Sequence, residues 1–147
     1  MPDDDELLRR LLAIEEIKRL KAEYCRCLDT KDWLGFGELL TRDAHMEVPD
    51  AGLVLDGRAH IVSGVDEQLT GSQTVHHCHM PEINLTGDET AMGIWAMFDY
   101  VEWPAAADGS RVGLHGYGHY LEEYVREDGR WRISKTQLRR IRVDPLK

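Results

Sequence analysis

Three of the seven histidines fall in one short run, Thr74-Val75-His76-His77-Cys78-His79. Histidine changes charge near neutral pH, so it can give, take or relay a proton, or bind a metal. The run reads as a β-strand, in which successive side chains face opposite ways. His76, Cys78 and Met80 then share one face, and His77 and His79 the other. One such face meets a core or a cavity. An imidazole enclosed there needs a partner, and the best candidate is Asp29, far upstream. A carboxylate beside a neutral imidazole fixes its tautomer and compensates the imidazolium that forms when a proton is taken. The pair suits removal of an acidic C–H proton next to a carbonyl, as in loss of water from the neighbouring carbon. Tyr24 would donate a hydrogen bond to the substrate carbonyl as charge develops there. Such chemistry requires no metal and no organic cofactor.

Other readings of the same residues stay open. Asp29 equally suits a cap on a helix starting near Trp33, or an Asx turn. His76 equally suits an enclosed structural histidine bonded to backbone, and Tyr24 an aromatic core position. A bulge at Pro81 would exchange the face of His76 with that of His77 and His79. A metal site from His76, His77, His79, His115 or His119 is a further reading, but adjacent strand residues point apart and no recognised ligand spacing is present.

The elements that position these residues follow from pattern. Asp5-Glu6 opens a long helix, with acids at the positive end of its dipole. Leu7, Leu11, Ile14, Ile17, Leu20, Tyr24 and Leu28 recur at steps of three and four and mark one buried stripe. Asp29-Thr30-Lys31-Asp32 is a polar break, and a short helix runs from Trp33 to Leu40. Ala44–Val48 and Leu53–Leu55 read as short strands, and Arg58–Leu69 as a third helix. Four long strands follow: Gln73–Leu85, Thr90–Trp103, Arg111–Arg126 and Arg130–Val143. Asp128-Gly129 is a hairpin signal between the last two. Helices followed by a meander of strands is an α+β order. The natural solution is a strongly curved antiparallel sheet forming a cone, with the helices packed on its concave side. Cones of this kind have a closed end and a mouth that admits a ligand. Trp33, Trp95, Met97, Tyr117 and His119 are the candidate walls for a hydrophobic, ring-shaped substrate.

Composition bounds the partners. A chain of 147 residues, 42% hydrophobic and 31% charged, suits one globular domain over residues 1–147. A net charge of −9 argues against nucleic acid as the main partner. The local run Arg139-Arg140-Ile141-Arg142 fits a strand with a solvated face. No apolar run approaches a membrane span of about 20 residues, and the acidic start lacks the basic opening of a signal peptide. The three cysteines, Cys25, Cys27 and Cys78, cannot all pair within one chain, and reduced thiols in a cytoplasmic protein are expected.

Several segments together resemble a known family. Ala13-Ile14-Glu15-Glu16-Ile17 through Tyr24, Asp29 and Trp33, then Phe36 and Leu39-Leu40-Thr41 to Asp43-Ala44, are similar to the opening of SnoaL-like proteins. Gly57-Arg58, Thr74-Val75-His76, Gly87-Asp88 and Gly129-Arg130-Trp131-Arg132-Ile133 continue the match along nearly the whole chain. SnoaL-like proteins belong to the nuclear transport factor 2-like superfamily. The chain looks closest to a branch containing scytalone dehydratase, bile-acid 7α-dehydratase and hexachlorocyclohexane dehydrochlorinase. The resemblance implies a cone-shaped α+β fold and a cofactor-free lyase or isomerase, with Asp29 and His76 at the family's Asp and His and Tyr24 at a tyrosine of the dehydratases. The second catalytic histidine of scytalone dehydratase aligns with Trp95 here. The fold also hosts cyclases and non-enzymes, so a non-catalytic module binding a small molecule or a protein is the alternative. The broad outer face of such a sheet suggests a homodimer.

Overall fold

The computed structural model describes residues 1–147. Helix α1 spans Asp4–Thr30. The Asp3 side chain caps it by accepting from Glu6 N–H at 2.8 Å, and Asp4, Asp5 and Glu6 fill the first turn. Lys31 ends it in the left-handed region, φ 58°, with its N–H turned back to Cys27 and Leu28 carbonyls. Only the second half of α1 lies on the body. Ile17, Leu20, Tyr24 and Leu28 are buried, whereas Leu7, Leu8, Leu11 and Leu12 are exposed, so the apolar stripe expected from Leu7 onward is half uncovered. Helix α2, Trp33–Glu38, is capped by Asp32, whose carboxylate accepts from Gly35 N–H at 2.9 Å. Helix α3 is Arg58–Leu69.

The strands are β1 Leu40–Val48, β2 Leu53–Asp56, β3 Gln73–Leu85, β4 Thr90–Trp103, β5 Val112–Glu127 and β6 Arg130–Pro145. They form one six-stranded sheet in the order β2-β1-β6-β5-β4-β3. The sheet is mixed: the hairpins are antiparallel as expected, but β1 lies parallel to β6. A parallel pairing needs a long crossover, here most of the chain, and leaves no local turn signal to read.

Alternation decides which side chains enter the cone. On β4, Ala91, Trp95, Met97, Asp99 and Val101 are buried. On β5 the inward set is Gly116, Gly118, Tyr120, Glu122 and Tyr124. Positions 115, 117 and 119 therefore face outward: Tyr117 is exposed, and Phe98 stacks with His115 and tilts against Tyr117 on the convex surface. On β3 the register against β4 runs unbroken from Gln73 to His79 and shifts only between His79 and Glu82. The irregularity at Pro81 thus lies beyond His76 and leaves its inward orientation intact.

The closed end of the cone holds a buried ion pair. Lys21 sits on the apolar stripe of α1, and its Nζ meets Glu122 Oε2 at 2.7 Å, both side chains wholly out of solvent. Glu122 also accepts from Thr136 Oγ1 at 2.6 Å and Tyr124 OH at 2.8 Å, and Tyr124 OH accepts from Trp95 Nε1 at 2.8 Å. The ammonium lies 3.6 Å from the centroids of both the Tyr24 and Tyr120 rings. Three hydrogen bonds to the carboxylate and two aromatic faces beside the ammonium are what make two buried charges tolerable. Lys21→Met should therefore cost about 3–5 kcal/mol by leaving the carboxylate unpaired, and Lys21→Met with Glu122→Leu should recover much of that loss. Urea unfolding of the two variants checks both expectations.

Candidate functional site

The site begins where α1 stops. Because Asp32 caps α2, Asp29 is free to reach across to β3. Its Oδ1 accepts from His76 Nδ1 at 2.7 Å and from Thr74 Oγ1 at 3.0 Å, and its Oδ2 accepts from His76 N–H at 3.0 Å. Thr74 Oγ1 in turn accepts from Lys31 Nζ at 3.0 Å. One carboxylate thus holds both the backbone and the ring of His76. Burial works to raise the pKa of Asp29, but the hydrogen bonds from the His76 ring, the His76 backbone and Thr74 outweigh it and hold the carboxyl below its ordinary value. An ionised Asp29 accepts the Nδ1 proton, so the second ring nitrogen, Nε2, is the one left without a protein partner.

His76 lies in the wall of a cavity that opens at the mouth of the cone. The cavity is small, ≈ 160 Å³. Most lining residues are apolar, among them Leu28, Met46, Val65, Val101 and Leu138. Tyr24 also lines it, with its ring edge-on to Phe36 at 5.2 Å and to Tyr120 at 5.9 Å. Burial, with the Glu122 carboxylate nearby, pushes the Tyr24 phenol well up, so it remains a neutral O–H donor. Tyr120, also in the wall, is raised by burial in the same way.

The expected walls are placed differently. Trp33 is half-buried and packs edge-on against Phe36 at 6.1 Å, away from the cavity. Trp95 and Met97 face the concave side but are buried in the core at the closed end, below the cavity. Tyr117 and His119 sit on the convex face, because β5 presents its even-numbered residues inward. The strand position opposite His76 on β4 is Asp99.

Two charged lining residues carried no signal that was read from the sequence. Asp99 is buried and ion-paired with Arg140 of β6. The two bridge across β5 at Gly116, where a Cβ would run into both Asp99 Oδ1 and Arg140 Nε. The pair is made by Arg140 Nη2 and Asp99 Oδ2, and Asp99 Oδ1 and Arg140 Nε have no hydrogen-bond partner. An acid in the otherwise apolar stretch Ile94–Val101 was the available clue to Asp99. Arg140 was hidden within the basic run, of which Arg139 and Arg142 are exposed and Arg140 alone turns inward. No three or more His, Cys, Asp or Glu side chains converge to hold a metal ion. No helix is long and apolar enough to cross a membrane.

Known proteins share this architecture. A probable cyclase, FGR4, of Gibberella zeae is 24% identical over 137 residues, covering 85% of this chain and 89% of that protein. The structure of a candidate scytalone dehydratase from Novosphingobium aromaticivorans superposes with a TM-score of 0.84 at 19% identity, covering 95% of this chain and 91% of that one. A type 2 hexachlorocyclohexane dehydrochlorinase (LinA) superposes with a TM-score of 0.83 at 18% identity, covering 95% and 93%. At these identities the likeness to the two solved structures is one of fold. The SnoaL-like domain matches residues 9–137, a span that contains the whole Asp29–His76 region, and the chain belongs to the SnoaL-like family.

Proposed function

We propose that this protein is a small cofactor-independent lyase of the dehydratase type, or an isomerase, acting on a hydrophobic cyclic carbonyl compound. The observation that carries the reading is the 2.7 Å contact of His76 Nδ1 with Asp29 in the wall of a small, largely apolar cavity. His76 Nε2 takes the proton from the carbon next to the carbonyl, and Asp29 stabilises the imidazolium. Tyr24 donates to the carbonyl oxygen as it gains charge. The Asp99–Arg140 pair adds a fixed polar edge beside His76 that orients the oxygenated side of a ring, while Leu28, Val65 and Leu138 take its apolar side. In a dehydration the imidazolium returns its proton to the departing hydroxyl; in an isomerisation it returns the proton to carbon. The names of the relatives (dehydratase, dehydrochlorinase, cyclase) describe eliminations and ring closures, which favour this class. The cytoplasm is the compartment that suits the three unpaired thiols.

The reading is tested with a panel of cyclic β-hydroxy ketones, following enone absorbance. His76→Ala should lower kcat by about 10²–10⁴-fold with an unchanged circular dichroism spectrum. Turnover equal to that of the unaltered protein would remove His76 from the reaction.

Asp29 links the site to pH. A group whose folded pKa is depressed gives stability that is present above its unfolded pKa and lost as pH falls through the folded one. The Tm difference between the unaltered protein and Asp29→Asn should therefore be largest near neutrality and should shrink as the buffer is taken from about pH 6 to about pH 3. A constant difference across that window would show that the carboxylate is not held ionised.

We also propose a homodimer formed through the convex face of the sheet, where Tyr117, Ile141 and Val143 are exposed beside Phe98. Ile141→Glu, which puts a charge in the middle of that face, should shift sedimentation from dimer to monomer. A monomeric parent protein would dispose of the idea.

A further inference from the structure

We propose that Cys25 and Cys78 are a redox-modification site: a dithiol that peroxides oxidise reversibly to a disulfide, tying α1 to β3. The two sulfurs lie 3.5 Å apart, thiol to thiol, although 53 residues separate them in sequence. Closing to a bond of about 2.05 Å asks for a small rotation of each side chain rather than a change of fold. Both are free thiols, as is Cys27. Cys27, two residues from Cys25, is directed elsewhere, its S–H aimed at Asp32 Oδ2 at 3.9 Å. The pair is therefore selected by geometry and not by proximity in sequence.

An entry path exists. A second, open hollow of ≈ 520 Å³ is lined by Lys18, Ala22, Cys25, Cys78, Met80 and Trp95 among others. It brings a small oxidant to both sulfurs from the side of the sheet rather than through the proposed substrate cavity. The two thiols also differ in character. The hydrogen bond from Cys78 lowers the Cys25 pKa against the effect of burial, and the Lys21 ammonium helps. Cys78 is pushed up, by that same bond and by burial. Cys25 is thus the attacking sulfur and Cys78 the one that keeps its proton until resolution.

The chemistry balances with hydrogen peroxide as the oxidant. The Cys25 thiolate attacks one peroxide oxygen, the O–O bond breaks, and Cys25 sulfenic acid forms with hydroxide as the leaving group. The Cys78 sulfur then attacks the sulfenic sulfur, the S–O bond breaks, and water leaves. Two thiols lose two electrons and peroxide is reduced to two waters. A small thiol reverses the step by exchange. The inference does not depend on the proposed reaction, because it concerns only the two sulfurs and their access.

The test uses the full-length reduced protein, treated with hydrogen peroxide at doses that just begin to convert Met80, which is 89% exposed, to its sulfoxide. The protein is then alkylated and digested with trypsin without reductant. Cleavage after Arg26 puts Cys25 in Ala22–Arg26 and Cys27 in Cys27–Lys31, so mass spectrometry assigns any bridge without ambiguity. The expected product joins Ala22–Arg26 to the Cys78 peptide, disappears with dithiothreitol, and leaves one of three thiols free. Oxidised protein should melt about 5–10 °C higher than reduced protein. In Cys78→Ser, dimedone should label Cys25 as the stalled sulfenic acid. Three free thiols at a dose that oxidises Met80, or a bridge that contains Cys27, would overturn the proposal.

Discussion

The Asp29 carboxylate is the joint on which the architecture of the site turns. It accepts from the His76 ring, the His76 backbone and the Thr74 hydroxyl, so a single side chain at the end of α1 fixes both the path of β3 and the rotamer of its imidazole. A backbone contact alone would set the strand and leave the ring free. A ring contact alone would let the strand slide. Together they place Nε2, the nitrogen without a protein partner, in the wall of the cavity. Asp29 is available only because Asp32 caps α2 and Lys31 turns the chain in the left-handed region. Asp29, Lys31 and Asp32, within four residues, thus share the tasks that one acid could not perform.

The interior of the cone is divided by polarity. At the closed end Lys21 and Glu122 are fully enclosed and paired, with Thr136 and Tyr124 also donating to the carboxylate and Trp95 to Tyr124. Nearer the mouth, Asp99 and Arg140 pair across Gly116, but one oxygen and one nitrogen lack partners. A satisfied network locks a structure, whereas an incomplete one retains bonding capacity. The first arrangement reads as a keystone beneath Tyr24 and Tyr120. The second lies where a guest would sit, and it gives an otherwise apolar cavity a direction.

Legibility followed the range of the interaction. Turn signals such as Gly87-Asp88 and Asp128-Gly129 are local, and the strands they bound are where the pattern puts them. Period 3.6 located the apolar face of α1 but not what covers it, and its first turns overhang with Leu7, Leu8, Leu11 and Leu12 exposed. Period 2 separated two faces of β5 but did not say which enters the cone. Histidines and a tyrosine made one face look like a site, but packing turns the other face, with Gly116, Gly118 and Glu122, into the cone. Only long-range register could reveal that β1 joins β6 in parallel, or that Asp99 stands opposite His76. Asp29 and His76 were legible because each is chemically distinctive within a short, well-bounded element. Lys21, close after Lys18-Arg19, and Arg140, inside a basic run, resemble their neighbours in sequence and were not.

Helix α1 and strand β3 meet at two rungs, and the chemistry differs at each. Asp29 reaches Thr74 and His76 at one; Cys25, one turn earlier on α1, reaches Cys78, two residues later on β3, at the other. The matched steps, four residues on a helix and two on a strand, both advance about 6 Å, which is why the contacts stay in register. Two such rungs define the relative position of the helix and the strand far better than one. Anything that moved the thiols apart would also lever the carboxylate from the imidazole. The geometry of the proposed proton-transfer pair and that of the sulfur pair are therefore one constraint, set by how α1 lies along β3.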